Sequence, residues 1–479
     1  MDISLYAEIA AVVVILAYIL AVVSALEAIL TSRTSQGAIA WTISLLTFPL
    51  LVVPLYLVFG RNRFDGYLEQ RDEIEAESLR LIKRTSGSIE EHVVPLSRDT
   101  PMYTSLFNLA RLPATTGNRV ELLVDGEQTF DSILEGLKSA QKYIFFQFYI
   151  IRDDELGHRL GRVLADKARD GVRVFLLYDE IGSRPFARSR LLKQLRTCGV
   201  HAVPFNTTQG RRNRFQLNFR NHRKVVVVDG KTSWIGGHNV GDEYLGRDPK
   251  FGNWRDTHMR IEGPATLAAQ LSFAEDWFWA SGELPQLNWE PVPSQNGDAP
   301  VLIVASGPAD ELETAGLMFV HAINTAQKRI WIASPYFVPD EPVVAALQLA
   351  GLRGVDVRIL IPEKPDHLMV YLAAFSYFDD AGRTGVEFYR YTDGFLHQKT
   401  MLIDNAAATV GTANFDNRSF RLNFEITALV GDPDFISQVE TMFERDFARS
   451  RKVPPGEYSE KSFWFRLGVR LARLTAPVQ

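Results

Sequence analysis

His222-Arg-Lys224-Val-Val-Val-Val-Asp229, followed by Gly236-Gly237-His238-Asn239, is one of two matching stretches that decide the fold. The other is His397-Gln-Lys399-Thr-Met-Leu-Ile-Asp404, followed by Gly411-Thr412-Ala413-Asn414. The matching His, Lys, Asp, Gly and Asn are all offset by 175 residues. Five positions sharing one offset point to an internal duplication. Each His-x-Lys opens an apolar, partly β-branched run that reads as a strand. Side chains alternate along a strand, so His222 and Lys224 share a face, as do His397 and Lys399. Asp229 and Asp404 lie seven residues beyond their histidines. They fall on the opposite face, which favours an orienting or structural role over substrate contact. Gly236, Gly237 and Gly411 let the backbone approach a ligand closely, and Asn239 and Asn414 offer amide donors there.

Outward from the first motif, Glu121–Val124 reads as a short strand and Phe130–Lys142 as a helix. Tyr143–Ile150 (YIFFQFYI) is a buried strand, Leu156–Arg169 a helix and Val172–Tyr178 another buried strand. The order recurs after residue 300, with strands at Val301–Val304, Arg329–Ala333 and Val355–Ile361 and helices at Gly316–Gln327 and Val343–Leu352. AQKYI at 140–144 echoes AQKRI at 326–330, and DGVRV at 170–174 echoes RGVDV at 353–357. Such alternation predicts an α/β fold with a largely buried sheet. Ser281–Pro300 is rich in Pro, Gly, Asn and Gln, as a linker is. The predicted halves are 116–285 and 298–450, joined by a linker at 286–297.

The N-terminal region is different. Ile9–Leu26 is an uncharged run of 18 residues, and Gly37–Gly60 is another of 24. About 20 apolar residues span a bilayer as a helix. Residues 1–60 are therefore expected to form a transmembrane hairpin with spans about 7–29 and 38–59. Met1–Ala10 has no Lys or Arg, unlike the start of a cleaved signal peptide. Arg61 and Arg63 follow the second span, so the positive-inside rule puts the following region in the cytoplasm. Residues 61–115 read as a polar juxtamembrane connector, helix-like around Tyr67–Lys83. Residues 451–479 read as a basic amphipathic helix, with Trp464, Leu467, Leu471 and Leu474 roughly opposite Arg466, Arg470 and Arg473. Such a helix can lie in the interface of an anionic leaflet. The net charge of −5 gives no global sign of a nucleic-acid binder, and the single cysteine, Cys198, rules out a disulfide within the chain.

The two motifs supply two His, two Lys and two Asn. Ammonium and amide groups suit non-bridging phosphate oxygens. Two histidines suit two-step transfer, one as nucleophile and one as acid, then base. The set lacks the carboxylate cluster of a magnesium site, and adjacent lysines would repel zinc, so neither metal nor cofactor is expected. Arg211, Arg212, Arg214, Arg220 and Arg223 precede or interrupt the first motif and could draw anionic headgroups toward it.

These paired motifs resemble the phospholipase D superfamily, and with the hairpin they resemble its bacterial cardiolipin synthases more closely. The similarity extends to Ala40-Trp41, Tyr56–Arg61, Asn218–Lys224, Gly241–Tyr244, Trp254–His258 and Ser334–Pro339. The resemblance implies duplicated phospholipase D-like α/β domains packed as a pseudo-two-fold pair in a bacterial inner membrane. It implies that one histidine attacks phosphatidylglycerol and that a second phosphatidylglycerol then accepts the phosphatidyl group, giving cardiolipin and glycerol. His222 is the expected nucleophile and His397 the acid/base, with His222, Lys224, Asp229, His397, Lys399 and Asp404 as the catalytic motif residues. The resemblance also implies an acidic residue downstream of each motif that supports a histidine. Glu425 and Asp256 fit, although their offset is 169 rather than 175. Phosphatidylglycerol and anionic membrane lipids are the expected partners. A phospholipase would use the same chemistry with water as acceptor. A nuclease has no need of two spans, and a non-enzymatic scaffold would not need both motifs intact. The oligomeric state is left open.

Overall fold

The computed structural model describes residues 3–32, 34–60, 64, 66–67, 89–95, 101–110, 112–208 and 218–476. They divide into two units, Met1–Glu69 with Asn206–Phe219 and Gln70–Phe205 with Arg220–Gln479. Arg33, Arg61 and Arg63, the helix expected beyond Tyr67, and Arg211, Arg212 and Arg214 lie outside the described residues.

In the first unit, helix α1 (Ile3–Thr31) is followed by α2 (Ser35–Thr47) and α3 (Pro49–Phe59). The Thr34 hydroxyl caps α2 by accepting the Gly37 amide at 3.2 Å. Ala21, Ser24, Ala25 and Ala28 are buried on α1, and Leu45, Val52, Val53 and Tyr56 are buried on the helices it meets. Small side chains on α1 allow this close approach. The remaining surface of α1 is apolar and exposed, with Leu5, Ile9, Ile15, Leu16, Ile19 and Val23 all about half accessible. Among the described residues, α1 alone is long and apolar enough to cross a membrane. The expected second span at 38–59 is not one helix. It breaks at Phe48, where φ is −130° and ψ is 59°. Pro49 is the cause: its ring disfavours helical backbone at the preceding residue, and it has no amide to continue the ladder.

The second unit is built on one continuous sheet with a mirrored strand order. From the centre outward, the first half runs Thr115–Val124, Thr257–Glu262, Thr232–Gly236, Val225–Val228, Tyr143–Phe148, Arg173–Asp179 and His201–Phe205. The second half runs Ala299–Ser306, Asn423–Val430, Ala407–Gly411, Thr400–Ile403, Arg329–Ala333, Asp356–Pro362 and Glu387–Tyr391, with Ser450–Lys452 added at its edge. At the centre Thr115–Val124 pairs antiparallel with Ala299–Ser306, which gives the two halves a two-fold relation. Helices cover the sheet, and the strands beneath them are nearly continuous apolar runs. Every residue of Tyr143–Phe148, Val225–Val228 and Thr400–Ile403 is buried. Each half has its own core, around Phe130, Leu160 and Trp234 in one and Met318, Leu347 and Phe388 in the other.

Both motif strands end in the same turn. Asp229 and Asp404 have φ of 54° and 50°, in the left-handed region. The Asp229 carboxylate accepts the amides of Gln141, Lys142 and Tyr143 at 2.7–2.8 Å. Asp404 accepts those of Gln327, Lys328 and Arg329 at 2.8–2.9 Å. The AQK echo thus marks the backbone that each aspartate ties to its strand. These carboxylates sit at the far end of the strand from the histidine, so the aspartates staple the fold and do not reach the His–Lys cluster. Asp229→Ala removes three charge-assisted bonds and leaves a β-carbon residue at positive φ without its local support. The expected cost is about 2–4 kcal/mol, read as a lower unfolding midpoint of the purified chain. A loss below about 0.5 kcal/mol would contradict this role.

The C-terminal segment contains a helix at Phe463–Arg473. Val469 and Ala472 are buried against the domain, while Trp464 is 77% exposed and Leu474 76%. Arg473 reaches Asp380 at 3.7 Å.

Candidate active site

The two histidines meet through strands exchanged between the halves. Arg220–Asn221 pairs in parallel with the start of Asn423–Val430, and the His222 amide continues the ladder to the Phe424 carbonyl at 3.0 Å. That register sets His222 beside Glu425. Phe395–Leu396 pairs in parallel with Trp254–Arg255, and the His397 amide donates to the Arg255 carbonyl at 2.8 Å. That register sets His397 beside Asp256. Each histidine is therefore served by the carboxylate of the other half. His222 Nδ1 lies 2.9 Å from Glu425 Oε2, and His397 Nδ1 lies 2.7 Å from Asp256 Oδ2. With Nδ1 engaged by Glu425, neutral His222 carries its lone pair on Nε2.

Residues between the motif positions lock this exchange. The buried Arg223 donates to the Glu425 carbonyl at 3.1 Å and to Asp276 at 2.9 Å. Gln398 accepts from the Thr257 hydroxyl at 3.0 Å and donates to Asp446 at 2.9 Å. Asp446 also takes both ends of the Arg255 guanidinium at 2.8 Å. The bonds from Arg223 to Glu425, from Thr257 to Gln398 and from Arg255 to Asp446 cross from one half to the other, so the site cannot form in either half alone.

The lysines lie beside the histidines. Lys224 Nζ donates to the His222 carbonyl at 2.7 Å and sits 5.7 Å from the Tyr149 ring centre. Lys399 Nζ lies 2.9 Å from His397 Nδ1 and also contacts the His397 carbonyl. Aromatic rings wall the two histidines, Tyr149 at 5.1 Å from His222 and Trp254 at 5.1 Å from His397.

The two carboxylates are held differently. Glu425 accepts from Thr412 at 2.5 Å, Ser419 at 2.9 Å and Asn423 at 3.1 Å in addition to His222. Asp256 accepts the Thr257 amide at 2.8 Å and the Trp254 indole at 3.4 Å. Thr412 corresponds to Gly237, where a β-carbon would stand 2.0 Å from Asp256 Oδ1. Glycine is thus needed in the first half to make room for the carboxylate. Behind Asp256, His238 and His258 face each other with their Nδ1 atoms 3.2 Å apart.

Burial dominates the electrostatics. It pushes His222 down to about 4 against the pull of Glu425, and with the help of Lys399 it pushes His397 down to about 3 against Asp256. Burial also lowers Lys224 to about 7 and Lys399 to about 8, although Glu425 and Asp256 oppose it. Burial favours protonation of Asp256, but the charges of Lys399, His238 and His397 outweigh it and hold the carboxyl well below its usual range. Around neutral pH the site thus holds neutral imidazoles, ionised carboxylates and lysines poised near their titration.

A stability consequence follows from the histidines. An unfolded histidine takes a proton near pH 6.5, whereas folded His222 does so only near 4. The contribution is fully present above pH 6.5 and is lost as pH falls through 4, by up to about 3 kcal/mol. The apparent Tm should therefore drop between pH 6.5 and 4, and less steeply in His222→Gln. An unchanged slope in the variant would contradict this reading.

The two motif asparagines are used unequally. Asn239 accepts the Ile150 amide at 3.1 Å and donates to the Tyr244 hydroxyl at 3.3 Å. Its amide is committed to the fold. The buried Asn414 Oδ1 has no hydrogen-bond partner. The crosswise pairing of carboxylates had no signal in the sequence, nor did the support of Glu425 by Ser419. Thr412 and Trp254 were visible inside the quoted motifs, but their contacts depend on the fold. Among the described residues, no three His, Cys, Asp or Glu side chains converge as metal ligands.

Comparison with known proteins identifies the family. The family model described as "Cardiolipin synthase, PLD-like domain" matches residues 133–268 and 319–447. A cardiolipin synthase A of Pseudomonas fluorescens is 49% identical over 470 residues, covering 97% of this chain and 97% of that protein. A cardiolipin synthase A of Pseudomonas aeruginosa is 49% identical over 465 residues, covering 96% of this chain and 94% of that one. Among solved structures, the phosphatidylserine synthase of Haemophilus influenzae aligns with a TM-score of 0.56 at 17% identity, covering 79% of this chain and 100% of that one. At that identity the likeness concerns the fold. With the family model matched in both halves and close relatives matched over nearly their whole length, the chain belongs to the cardiolipin synthase family of phospholipase D-like proteins.

Proposed function

We propose that this chain is a phosphatidyltransferase that makes cardiolipin from two molecules of phosphatidylglycerol and releases glycerol. The observation that carries the reading is the pair of crosswise histidine–carboxylate dyads, each with its own lysine, in one site. His222 Nε2 attacks the phosphorus of the donor, and the bond from phosphorus to the glycerol headgroup oxygen breaks. His397 donates the proton that this oxygen needs to leave as glycerol. The product is a phosphatidyl group on His222. The terminal hydroxyl of the second phosphatidylglycerol then gives its proton to His397 and attacks the same phosphorus. The N–P bond breaks, and His222 is restored as cardiolipin departs. Lys224, Lys399 and the side-chain NH2 of Asn414 hold the non-bridging oxygens. Burial alone leaves His397 neutral at physiological pH. The incoming diester anion raises the proton affinity of the cluster and supplies the charge that keeps His397 protonated.

The same reading places the enzyme in a bacterial inner membrane. The apolar outer surface of α1 supports one crossing, and α2 with α3 supplies a second, kinked at Phe48. The exposed Trp464, Leu471 and Leu474 rest in the lipid interface, with Arg466 toward anionic headgroups. The catalytic unit faces the cytoplasm. A Ser459→Cys chain labelled by an impermeant thiol reagent from the periplasmic side, above the level of the parent chain, would overturn that orientation.

The test of function uses membranes containing the full chain, labelled phosphatidylglycerol and EDTA. Cardiolipin and free glycerol should appear in equal amounts. Phosphatidic acid without cardiolipin would make water the acceptor and the chain a phospholipase.

A further inference from the structure

A groove of about 440 Å³ opens beside the C-terminal helix, and no motif residue lines it. Small-molecule sites have about this volume, roughly 300–1,000 Å³. One wall is the end of the helix Leu368–Gly382, which contributes Asp379 and, just beyond it, Arg383. The other wall is the helix Phe463–Arg473, which contributes Phe463, Arg466 and Leu467. The two walls are fixed to each other. Phe465 packs edge-on against Phe375 at 5.0 Å, and the Arg473 guanidinium lies 5.0 Å from the Tyr377 ring centre. The groove is therefore part of the folded unit.

Its charges fall into two groups. Asp380 is met by Arg473 at 3.7 Å, and Arg470 lies over the Tyr458 ring at 5.6 Å. These are engaged within the protein. Asp379, Arg383 and Arg466 are not, since their side chains make no hydrogen bond or ion pair among the described residues. Two guanidiniums and one carboxylate are thus open to a ligand along one groove. Phe463 and Leu467, which share that lining, are exposed, and the Phe463 ring lies 5.3 Å from that of exposed Trp464. Open charges of both signs beside apolar and aromatic side chains match a phospholipid at the boundary of water and hydrocarbon.

We propose that this groove seats the headgroup of a zwitterionic phospholipid of the phosphatidylethanolamine type, which is bound and not consumed. This rests on the interfacial placing of the C-terminal helix given above and deepens it. The phosphodiester takes Arg383 and Arg466, whose planar forks suit its non-bridging oxygens. The primary ammonium takes Asp379. A purely anionic headgroup would gain from the guanidiniums but be repelled by that carboxylate. A trimethylated amine carries no N–H with which to bond it. Asp379 therefore decides between headgroups. Neither catalytic histidine lines the groove, so the lipid held there is a tether to the bilayer surface and not a donor.

The test follows amide hydrogen exchange of the full chain in neutral detergent micelles, with one lipid added at a time. Phosphatidylethanolamine should slow exchange in 376–383 and 459–467. Its half-saturating fraction should be at least about tenfold below that of phosphatidylcholine or phosphatidylglycerol, the worth of one charge-assisted bond. Asp379→Asn should remove that preference and bring the ethanolamine lipid to the level of the choline lipid. Arg383→Gln should weaken both of these lipids alike, because both carry the phosphodiester. Equal protection by all three lipids, tighter binding of phosphatidylglycerol, or a preference that survives Asp379→Asn overturns the seat and leaves the helix at the interface. No protection by any lipid overturns both.

Discussion

Alanine in place of His222 is expected to abolish cardiolipin formation and glycerol release together, by about 10⁴-fold or more. Both chemical steps pass through the N–P bond, so nothing downstream survives without it. If the histidine only activated water or a hydroxyl as a general base, its removal would cost about 10²–10⁴-fold and leave a measurable rate. The variant should still fold. His222 is bound through Nδ1 to Glu425, and that carboxylate keeps Thr412, Ser419 and Asn423 as donors when the imidazole is gone. The measurement is product formation by purified protein, alongside its unfolding midpoint. Loss of activity with an intact midpoint supports the role, and a residual rate above about 1% of the parent would contradict it.

The second large effect lies 203 residues away from that histidine, at Glu425. Glu425→Gln should lower kcat by about 10²–10⁴-fold with little change in KM. The carboxylate can only accept from Nδ1, so it fixes the tautomer whose Nε2 is free to attack. A glutamine amide can donate to Nδ1 instead, which moves the ring proton to Nε2 and blocks attack. The substitution also removes a charge that opposes the burial-driven fall of His222. Asp256→Asn should act in the same way on His397. A kcat for Glu425→Gln within about threefold of the parent would show that the dyad does not matter for turnover.

The duplication was legible because it was written in one register. Identical spacing from His222 to Asn239 and from His397 to Asn414 reports strand, turn and strand in each half, and AQKYI and AQKRI report the backbone that Asp229 and Asp404 tie down. The exchange of strands was not legible. His222 and Glu425 meet because Arg220–Asn221 crosses to the other half, and no local pattern records which half a two-residue strand will join. The different offset of Asp256 and Glu425 hid their equivalence further. It reflects unequal connections between each motif and its acid-bearing strand, not different positions in the sheet. The second apolar run of the N-terminal region is interrupted at Phe48 for a local reason that was visible, since Pro49 stands in its middle. Hydropathy summed along the run could not say on which side of that proline the helix would stop. The unlike surroundings of Asp256 and Glu425 were equally beyond reach, because Thr412, Ser419 and His258 acquire their partners only across the sheet.

The central claim is that one histidine carries the phosphatidyl group while the other moves the proton. The most direct measurement is to incubate His397→Asn with phosphatidyl-p-nitrophenol labelled at phosphorus, whose leaving group departs without an acid, quench in alkali, which preserves the N–P bond, and map the label by mass spectrometry. The second step lacks its base in this variant, so the label should accumulate on the peptide that contains His222 and be absent from His222→Asn. Label on His397 in His222→Asn, or turnover by the parent chain with no covalent adduct trapped in either variant, would contradict the account.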